Sequence, residues 1–327
     1  MRLLTVSIDR FPIAGTFTIA RGSRTEAVVV TATIIENGVV GRGECVPYPR
    51  YGETVEGVAA AIEALRPRIE AGLSREALQT LMPAGAARNA VDCALWDLDA
   101  KRSGIPAHVT AGVTRWPPVT TAYTISLDTP ERMGEAAANA ADRPILKVKF
   151  GAPEGDIERI RAVRRAVPSA TLIADANEGW TEANLEAHLA ACAEEGYALV
   201  EQPLPAKADG FLARTAHPVP IMADESVHDR QSLQRLVGLY EVVNIKLDKT
   251  GGLTEALALA DAAEALGFPL MIGCMVGTSL AMAPAMVLAP RCRFVDLDGP
   301  LLLAKDRKPG LRYEGSLVYP PEPALWG

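Results

Sequence analysis

The 327-residue sequence predicts an α/β protein, a modified TIM (β/α) barrel preceded by an N-terminal α+β capping domain. Two observations lead to this fold class. β-rich runs are concentrated in the first 45 residues, whereas from residue 119 onward short apolar runs alternate with longer segments of helical periodicity. Strands that alternate with helices form parallel βαβ units. Eight such units in succession favour a closed barrel over an open sheet.

The N-terminal part has the pattern of an antiparallel meander. Its β-rich runs are Leu3–Phe11, Ala27–Ile35 and Val39–Cys45, and the last two are separated by Glu36-Asn37-Gly38. An Asn-Gly pair between two apolar runs is a strong hairpin signal, because both residues accept the positive φ of a tight turn. The sequence therefore predicts a hairpin at this point.

Two helices are predicted after the meander. Thr54–Leu65 and Ala86–Arg102 both carry apolar residues at helical spacing. Gly104 is placed to end the second helix, since glycine readily adopts the left-handed conformation found there. Together with the meander, these helices predict an α+β unit.

Three segments follow from the positions of these elements. The stretch Arg115–Pro118 contains two prolines and cannot continue a helix, which predicts a boundary there. We expect a capping domain over residues 1–115, a barrel over 116–304 and a C-terminal segment over 305–327 that returns to the capping domain. Its β-like run, Leu311–Val318, is expected to pair with the N-terminal meander.

The second half carries the predicted barrel strands. The uncharged stretch Leu270–Pro290 has about the length of a membrane span. Glycine and proline interrupt it, so a buried strand, a turn and a core helix are predicted instead. The eight strand runs are Val119–Ser126, Ile145–Phe150, Thr171–Ala176, Ala198–Gln202, Val219–Ala223, Val242–Leu247, Pro269–Cys274 and Arg293–Leu297.

The composition excludes several classes of protein. The chain is 49% hydrophobic and 22% charged, which is typical of a packed globular protein and excludes a disordered one. The net charge of −7 argues against nucleic acid or an acidic membrane surface as a partner. The five cysteines are odd in number and form no CxxC pair, which indicates buried thiols in a reducing, cytoplasmic compartment.

Ionisable residues recur at the ends of five consecutive predicted barrel strands. In a parallel barrel these ends meet on one face and form the active site. The steps between Lys149, Asp175, Glu201, Asp224 and Lys246 are 26, 26, 23 and 22 residues, each about one βα unit. A single charge of this kind ordinarily lies on the surface. Five at equivalent positions predict a functional ring.

Three members of the ring are carboxylates, Asp175, Glu201 and Asp224. Converging carboxylates repel one another unless a cation neutralises them. Oxygen ligands on a rigid frame suit Mg²⁺, which leaves coordination positions for substrate oxygens. We therefore predict one Mg²⁺ per subunit, for which Mn²⁺ could substitute.

The lysines of the ring are candidate bases. Lys147 and Lys149 are two residues apart on a strand and project to the same face. A nearby cation and a neighbouring ammonium both lower a lysine pKa from its ordinary value of about 10.4. Lys246 lies four strands away and faces Lys149 across the barrel, with Glu225 as its candidate partner and Asn177 as a further supporting residue. Two opposed bases fit removal of a proton from one face of a carbon and its return to the other.

These residues resemble the enolase superfamily, and specifically its muconate-lactonizing subgroup. The K-x-K motif, the three carboxylates and the lysine of the sixth strand all match that subgroup. The resemblance implies that Lys149 and Lys246 are the catalytic bases, that Lys147 assists them and that the carboxylates bind the metal. It also implies removal of a proton next to a substrate carboxylate, with the developing charge stabilised by the metal.

Within the subgroup, the chain is similar to the L-Ala-D/L-Glu epimerases, which act on a dipeptide of murein recycling. This similarity implies that Asp296 and Asp298 bind the dipeptide ammonium and that Arg24 binds the glutamate side chain. Tyr51 and Thr278 are expected to line the pocket. The stretches that carry the similarity are Ile19–Arg24, Glu44–Glu53, Ala84–Ala90, Asn244–Gly252 and Asp296–Pro300.

Other interpretations stay open at this point. A different activity of the subgroup, o-succinylbenzoate synthesis or cycloisomerisation, would use the same metal and lysines without an ammonium to bind. A non-catalytic binding barrel is less favoured, because an unneutralised carboxylate ring would destabilise it. We predict an isomerase that interconverts L-Ala-D-Glu and L-Ala-L-Glu by metal-assisted, two-base proton transfer. The sequence permits a homo-oligomer without predicting one.

Overall fold

The capping domain is built on a three-stranded antiparallel sheet. A computed structural model describes residues 2–327, in which β1 (Arg2–Ile19), β2 (Gly22–Glu36) and β3 (Val39–Cys45) pair in that order. Asn37 and Gly38 join β2 to β3 with φ values of 52° and 81°. These are the conformations that a two-residue hairpin turn requires, so the predicted hairpin is confirmed.

Helices cover one face of this sheet, and both predicted capping helices are confirmed. Thr54 begins the first by accepting a hydrogen bond from Gly57 N, and Gly104 ends the longest with a φ of 71°. The capping helices are α1 (Val55–Ala64), α2 (Arg66–Glu70), α3 (Arg75–Leu81), α4 (Ala86–Ser103) and α5 (Ala107–Thr110).

Helix α4 packs directly on β3 because glycine occupies the contact. A Cβ atom at Gly43 would lie 2.1 Å from Ala90 O and 2.6 Å from Ala94 N. Both are backbone atoms of a buried helix, which cannot move aside without opening the capping core. The close approach of helix and strand therefore depends on the absence of a side chain at Gly43.

Gly43→Ala is expected to lower the free energy of unfolding by about 3 kcal/mol, because overpacking a tight contact forces the backbone apart. Gly210→Ala is the matched control, since a Cβ there would meet nothing within 4 Å. Urea unfolding followed by circular dichroism measures both. If the two variants unfolded at the same urea concentration, the tight contact between α4 and β3 would be contradicted.

The first predicted barrel run, Val119–Ser126, is divided between two sheets. Its start, β4 (Val119–Thr120), pairs antiparallel with a strand near the C-terminus. Its end, β5 (Tyr123–Ile125), pairs in parallel with the next strand of the barrel. The division occurs at Thr121 and Ala122, where the chain passes from one sheet to the other.

Eight parallel strands form the barrel in chain order, which confirms the eight predicted runs. Ala122 N donates to Val295 O over 2.7 Å and so joins the two edges of the sheet. Apolar side chains such as Ile173, Met222 and Met271 fill the interior. After β5 the strands are β6 (Ile145–Lys149), β7 (Thr171–Asp175), β8 (Leu199–Glu201), β9 (Ile221–Ala223), β10 (Val242–Lys246), β11 (Leu270–Gly273) and β12 (Phe294–Val295).

Helices connect most of these strands around the outside of the barrel. After β8 and β9 the connections are instead the 3₁₀ segments Asp209–Arg214 and Arg230–Leu236. Within residues 2–327 no helix is both long and apolar enough to cross a membrane. The remaining helices are α6 (Pro130–Asn139), α7 (Asp156–Ala166), α8 (Glu182–Glu194), α9 (Leu247–Thr250), α10 (Leu253–Ala265), α11 (Ser279–Ala285) and α12 (Gly299–Leu302).

The C-terminal segment contacts both parts of the molecule. Strands β13 (Tyr313–Glu314) and β14 (Leu317–Val318) form a hairpin, and β14 pairs with β4. The prediction that this region pairs with the N-terminal meander is wrong. The last residues do reach the capping domain, where Trp326 Nε1 donates to Cys93 O over 2.9 Å.

Candidate active site

The five ionisable strand-end residues meet at one end of the barrel. Lys149 ends β6, Asp175 ends β7, Glu201 ends β8, and Lys246 ends β10; Asp224 directly follows β9. The register aligns Lys149 with Asp175 and Asp175 with Glu201 across neighbouring strands. All five side chains are buried. The parallel register therefore places them as the sequence spacing predicted.

Lysine ammonium groups contact each carboxylate of the ring. Lys149 Nζ lies 2.6 Å from Asp175 Oδ2, and Lys246 Nζ lies 2.6 Å from Asp224 Oδ2. Lys147 Nζ lies 3.2 Å from Asp175 Oδ2 and 2.7 Å from Glu201 Oε2. Because every carboxylate is paired, the buried charges of the ring largely compensate one another.

The electrostatics of the ring follow from burial and this pairing. Burial and the neighbouring charge of Asp175 raise the pKa of Glu201 to about 7. Burial alone would lower the pKa of Lys246, but the charges of Asp224 and Glu201 outweigh it and raise that pKa above its ordinary value. Burial would also lower the pKa of Lys147, but the charges of Asp296 and Glu201 outweigh it and raise that pKa well above its ordinary value. Both ammonium groups are therefore held protonated by the carboxylates that surround them.

The carboxylates have the chemistry of a divalent-cation site. Glu201 Oε2 is buried without a hydrogen bond, although the Lys147 ammonium lies nearby outside hydrogen-bonding geometry. Within residues 2–327 no three Asp, Glu, His or Cys side chains are already grouped as a ligand cluster. Lys147 instead bridges two of the carboxylates. Oxygen donors on three adjacent rigid strands fit Mg²⁺ or a similar hard cation.

Two residues that the sequence reasoning missed support the ring. Lys249 Nζ donates to Asp224 Oδ1 and O over 2.6 and 2.5 Å and to Asn244 O over 3.0 Å. Asn244 Nδ2 donates to Glu201 Oε1 over 2.7 Å. Lys249 lies three residues after Lys246, one helical turn into α9, and that spacing is the signal that could have identified it. Both residues fix the orientation of carboxylates in the ring.

A cavity lies above the ring, between the barrel and the capping domain. The barrel side is charged, and the capping side is largely apolar but also contains Arg21, Arg24 and Glu26. Barrel residues of the wall include Lys147, Lys149, Asp224, Lys246, Asp296 and Asp298. Capping residues of the wall include Ile13, Phe17, Ile19, Arg24, Tyr48 and Tyr51.

Asp296 and Asp298 both line the cavity beside the end of β12. Asp296 Oδ2 lies 2.8 Å from Lys147 Nζ, while its Oδ1 is buried without a hydrogen bond. Asp298 Oδ2 accepts a hydrogen bond from Thr124 N over 2.7 Å. Burial and the charge of Asp296 raise the pKa of Asp298 to about 7. The unpartnered oxygen of Asp296 is suited to accept a hydrogen bond from a ligand.

Of the remaining predicted pocket residues, two line the cavity and one does not. Arg24 and Tyr51 line the cavity, with the Arg24 guanidinium 5.2 Å from the centre of the Tyr48 ring. The prediction that Thr278 lines the pocket is wrong. Its hydroxyl donates to Glu44 Oε2 over 2.6 Å, and the residue lies outside the cavity wall. It joins the barrel to the capping domain.

Of the two predicted supporting residues, Asn177 contacts the ring, whereas Glu225 has a partner other than the one expected. Asn177 N donates to Asp175 Oδ1 over 2.9 Å, which orients that carboxylate. Glu225 does not pair with Lys246, whose ion pairs are with Asp224 and Glu201. Its Oε1 instead accepts from Arg21 Nη2 over 2.7 Å. Arg21 is a capping residue that the sequence reasoning did not assign to the site.

Comparison with known protein families accounts for both domains. Residues 1–110 match the N-terminal domain of mandelate racemase and muconate lactonizing enzyme, and residues 132–323 match the enolase C-terminal domain-like family. The chain belongs to the enolase superfamily. This is the superfamily that the sequence motifs resembled. The lysines and carboxylates of those motifs lie at the strand ends of the barrel.

Two curated relatives of this enolase-superfamily chain are similar over nearly their whole length. The L-Ala-D/L-Glu epimerase of Escherichia coli is 50% identical over 317 residues, which cover 96% of this chain and 98% of the relative. The N-acetyl-D-glutamate racemase of a Pseudoalteromonas species is 44% identical, covering 91% and 95%. Both relatives are named for inversion at a glutamate residue or derivative.

Two solved structures are also similar to this chain over nearly their whole length. An enolase family member from Agrobacterium tumefaciens with homology to dipeptide epimerases is 57% identical, with a TM-score of 0.99 and full coverage of both chains; it contains sodium and L-Ala-L-Glu. The dipeptide epimerase of Enterococcus faecalis, complexed with Mg and L-Leu-L-Tyr, is 31% identical, with a TM-score of 0.90 and coverage of 98% and 97%. The fold of this superfamily member is therefore that of the dipeptide epimerases.

Proposed function

We propose that this chain is a dipeptide epimerase that interconverts L-Ala-D-Glu and L-Ala-L-Glu by two-base proton transfer at the glutamate α-carbon. The observation that carries the proposal is the placement of Lys149 and Lys246 at the ends of β6 and β10, four strands apart in one cavity. Inversion requires a base on each face of the carbon, and opposed lysines supply both. The 50% identical relative of that name supports the same substrate.

The metal part of the proposal rests on Asp175, Glu201 and Asp224. These carboxylates would hold one divalent cation per subunit, Mg²⁺ or in its place Mn²⁺. When bound, that cation would stabilise negative charge on a substrate carboxylate. Its charge would also replace the ammonium groups as partners of the carboxylates and so ease loss of a proton from Lys149 or Lys246. Lys147, which bridges two ligands, would assist by its charge.

Substrate recognition is proposed to divide between the two sides of the cavity. Asp296 and Asp298 would receive the dipeptide ammonium, since a cation is favoured beside two carboxylates. Arg24, on the capping side, would bind the glutamate side chain through its planar guanidinium. Tyr51 would close the wall near the reacting carbon. A dipeptide with a free amine and an acidic second residue would satisfy both ends.

The direct test is incubation of the protein with L-Ala-D-Glu and Mg²⁺ in deuterated water. We expect the L-Ala-L-Glu product to appear, with solvent deuterium at the glutamate α-carbon, as measured by NMR. The same protein without divalent cation, in excess chelator, is the control and is expected to be inactive. Absence of both product and deuterium in the presence of Mg²⁺ would refute the proposal.

N-acylglutamate racemisation is a second candidate. It is favoured by one specific observation besides the racemase relative: Asp296 already pairs with Lys147, and Asp298 with Thr124 N. Each of these carboxylates therefore already has one partner in the cavity without a substrate ammonium. Running N-acetyl-D-glutamate through the same exchange assay separates the candidates, because faster exchange than with L-Ala-D-Glu would favour the racemase.

The biological setting is part of the proposal. We place the activity in the cytoplasm, where it would process dipeptides from murein recycling. All five cysteines are free thiols in the structure, which agrees with a reducing compartment.

A further inference from the structure

The turn that follows β7 has an unusual backbone. Asn177 and Glu178 both have positive φ, 46° and 65°, although neither is glycine. Such conformations are strained and persist only where the surroundings enforce them. The turn begins two residues after Asp175, the last residue of β7.

The Glu178 side chain is the centre of the contacts that enforce this turn. Its carboxylate accepts from Arg50 Nε and Nη2 over 2.5 and 2.6 Å, a bidentate pair, and from Arg21 Nη1 over 3.2 Å. It also accepts from Ala206 N over 2.9 Å. The side chain is only 8% exposed. We call Glu178, Arg21 and Arg50 the capping ion-pair cluster.

The two arginines belong to different loops of the capping domain. Arg21 lies in the turn between β1 and β2, and Arg50 lies in the 3₁₀ turn Pro49–Tyr51 that follows β3. Arg21 also donates to Asn177 O over 2.7 Å and to Glu225 Oε1 over 2.7 Å. One barrel carboxylate therefore connects both capping loops to the end of the barrel.

Those loops carry the capping residues of the cavity. Arg21 Nη2 donates to the Tyr48 hydroxyl over 3.2 Å, and the Arg24 guanidinium lies over the same ring. The Tyr51 ring lies 5.6 Å from that of Tyr48. Contacts thus run from Glu178 through Arg21 and Tyr48 to Arg24 and Tyr51. Glu178 itself lies outside the cavity wall.

We propose that Glu178 is a positioning residue that sets Arg24 and Tyr51 over the cavity and thereby determines affinity for an acidic second residue. The inference rests on the proposed dipeptide epimerase function. Glu178 touches no reacting atom, and its contacts with Arg21 and Arg50 lead to the capping side of the cavity, so the main effect of changing it is expected on substrate binding. A residue that acts on binding alone changes KM and leaves kcat in place.

The test compares Glu178→Gln with the wild type on L-Ala-D-Glu and on the neutral isostere L-Ala-D-Gln. We expect KM for L-Ala-D-Glu to rise about tenfold with kcat nearly unchanged, the effect of weakening one charged hydrogen bond. KM for L-Ala-D-Gln is expected to change far less. Asp99→Asn is the matched control, because Asp99 pairs with Arg75 within the capping domain, away from the cavity.

A structural measurement accompanies the kinetics. Trypsin cleaves after arginine, so loss of the cluster is expected to speed cleavage after Arg21 and Arg50 in Glu178→Gln but not in Asp99→Asn, as mapped by mass spectrometry. An unchanged KM, an equal rise for both dipeptides, or a fall in kcat alone would overturn the inference. A wild type that is inactive on L-Ala-D-Glu would refute the proposed function instead. In that case, unchanged trypsin cleavage of Glu178→Gln would still contradict the role of the capping ion-pair cluster in holding the two loops.

Discussion

Lys246→Arg is expected to remove deuterium exchange from one epimer of L-Ala-Glu while exchange from the other continues. A guanidinium stays protonated and cannot accept the α-proton, so the face served by Lys246 loses its base. General-base catalysis typically contributes about 10²–10⁴-fold, which sets the size of the loss. The resemblance to the superfamily implies that the affected substrate is the D-epimer. NMR of each pure epimer in deuterated water measures the two rates.

Lys149→Arg is the matched control for this prediction. It makes the same change on the opposite side of the cavity, where Lys149 contacts Asp175 as Lys246 contacts Asp224. The pattern of loss is therefore expected to reverse, with the L-epimer affected. Equal loss from both epimers in either variant would contradict the assignment of one base to each face.

Asp224→Asn is expected to abolish measurable Mg²⁺ binding in calorimetry and to stop exchange from both epimers. Changing residues that only support a metal ligand costs about 10–100-fold in affinity, so replacing a proposed ligand is expected to exceed that range. The variant also leaves Lys246 and Lys249 without their common carboxylate. Breaking a buried ion pair costs about 3–5 kcal/mol, and circular dichroism must establish that the variant is folded.

Asp298→Asn is the control for metal binding. Asp298 is equally buried and lines the same cavity, but it contacts Thr124 N rather than the ring. Its Mg²⁺ affinity is expected to match that of the wild type. Wild-type affinity in Asp224→Asn would instead exclude Asp224 from the ligand set, whereas absence of Mg²⁺ binding in both the wild type and the variant would favour a non-catalytic barrel.

Local patterns in the sequence were sufficient to predict the barrel strands and the ring of ionisable residues at their ends. Each barrel strand is a short apolar run, and each βα unit has nearly constant length, so the charges at Lys149, Asp175, Glu201, Asp224 and Lys246 recur at strand ends. A parallel barrel gathers all strand ends on one face. Periodicity therefore predicted the convergence of residues up to 97 positions apart.

The same patterns did not predict which loops pack against the ring. Lys249 and Asn244 were overlooked because one lies in a short helix and the other inside a strand, where neither marks a strand end. Thr278 was expected to line the pocket, whereas its hydroxyl contacts Glu44. The pairing of β14 with β4 was also missed, since two-residue strands carry almost no periodic signal.

The sequence by itself determined the fold class, the eight strands and the ring of charges, because these depend on periods repeated within the chain. Only the tertiary structure decided the partners of those charges, including Arg21 with Glu225 and Arg50 with Glu178. These partners are separated by 204 and 128 residues. Contacts between distant segments depend on how the capping domain docks on the barrel, which no local pattern encodes.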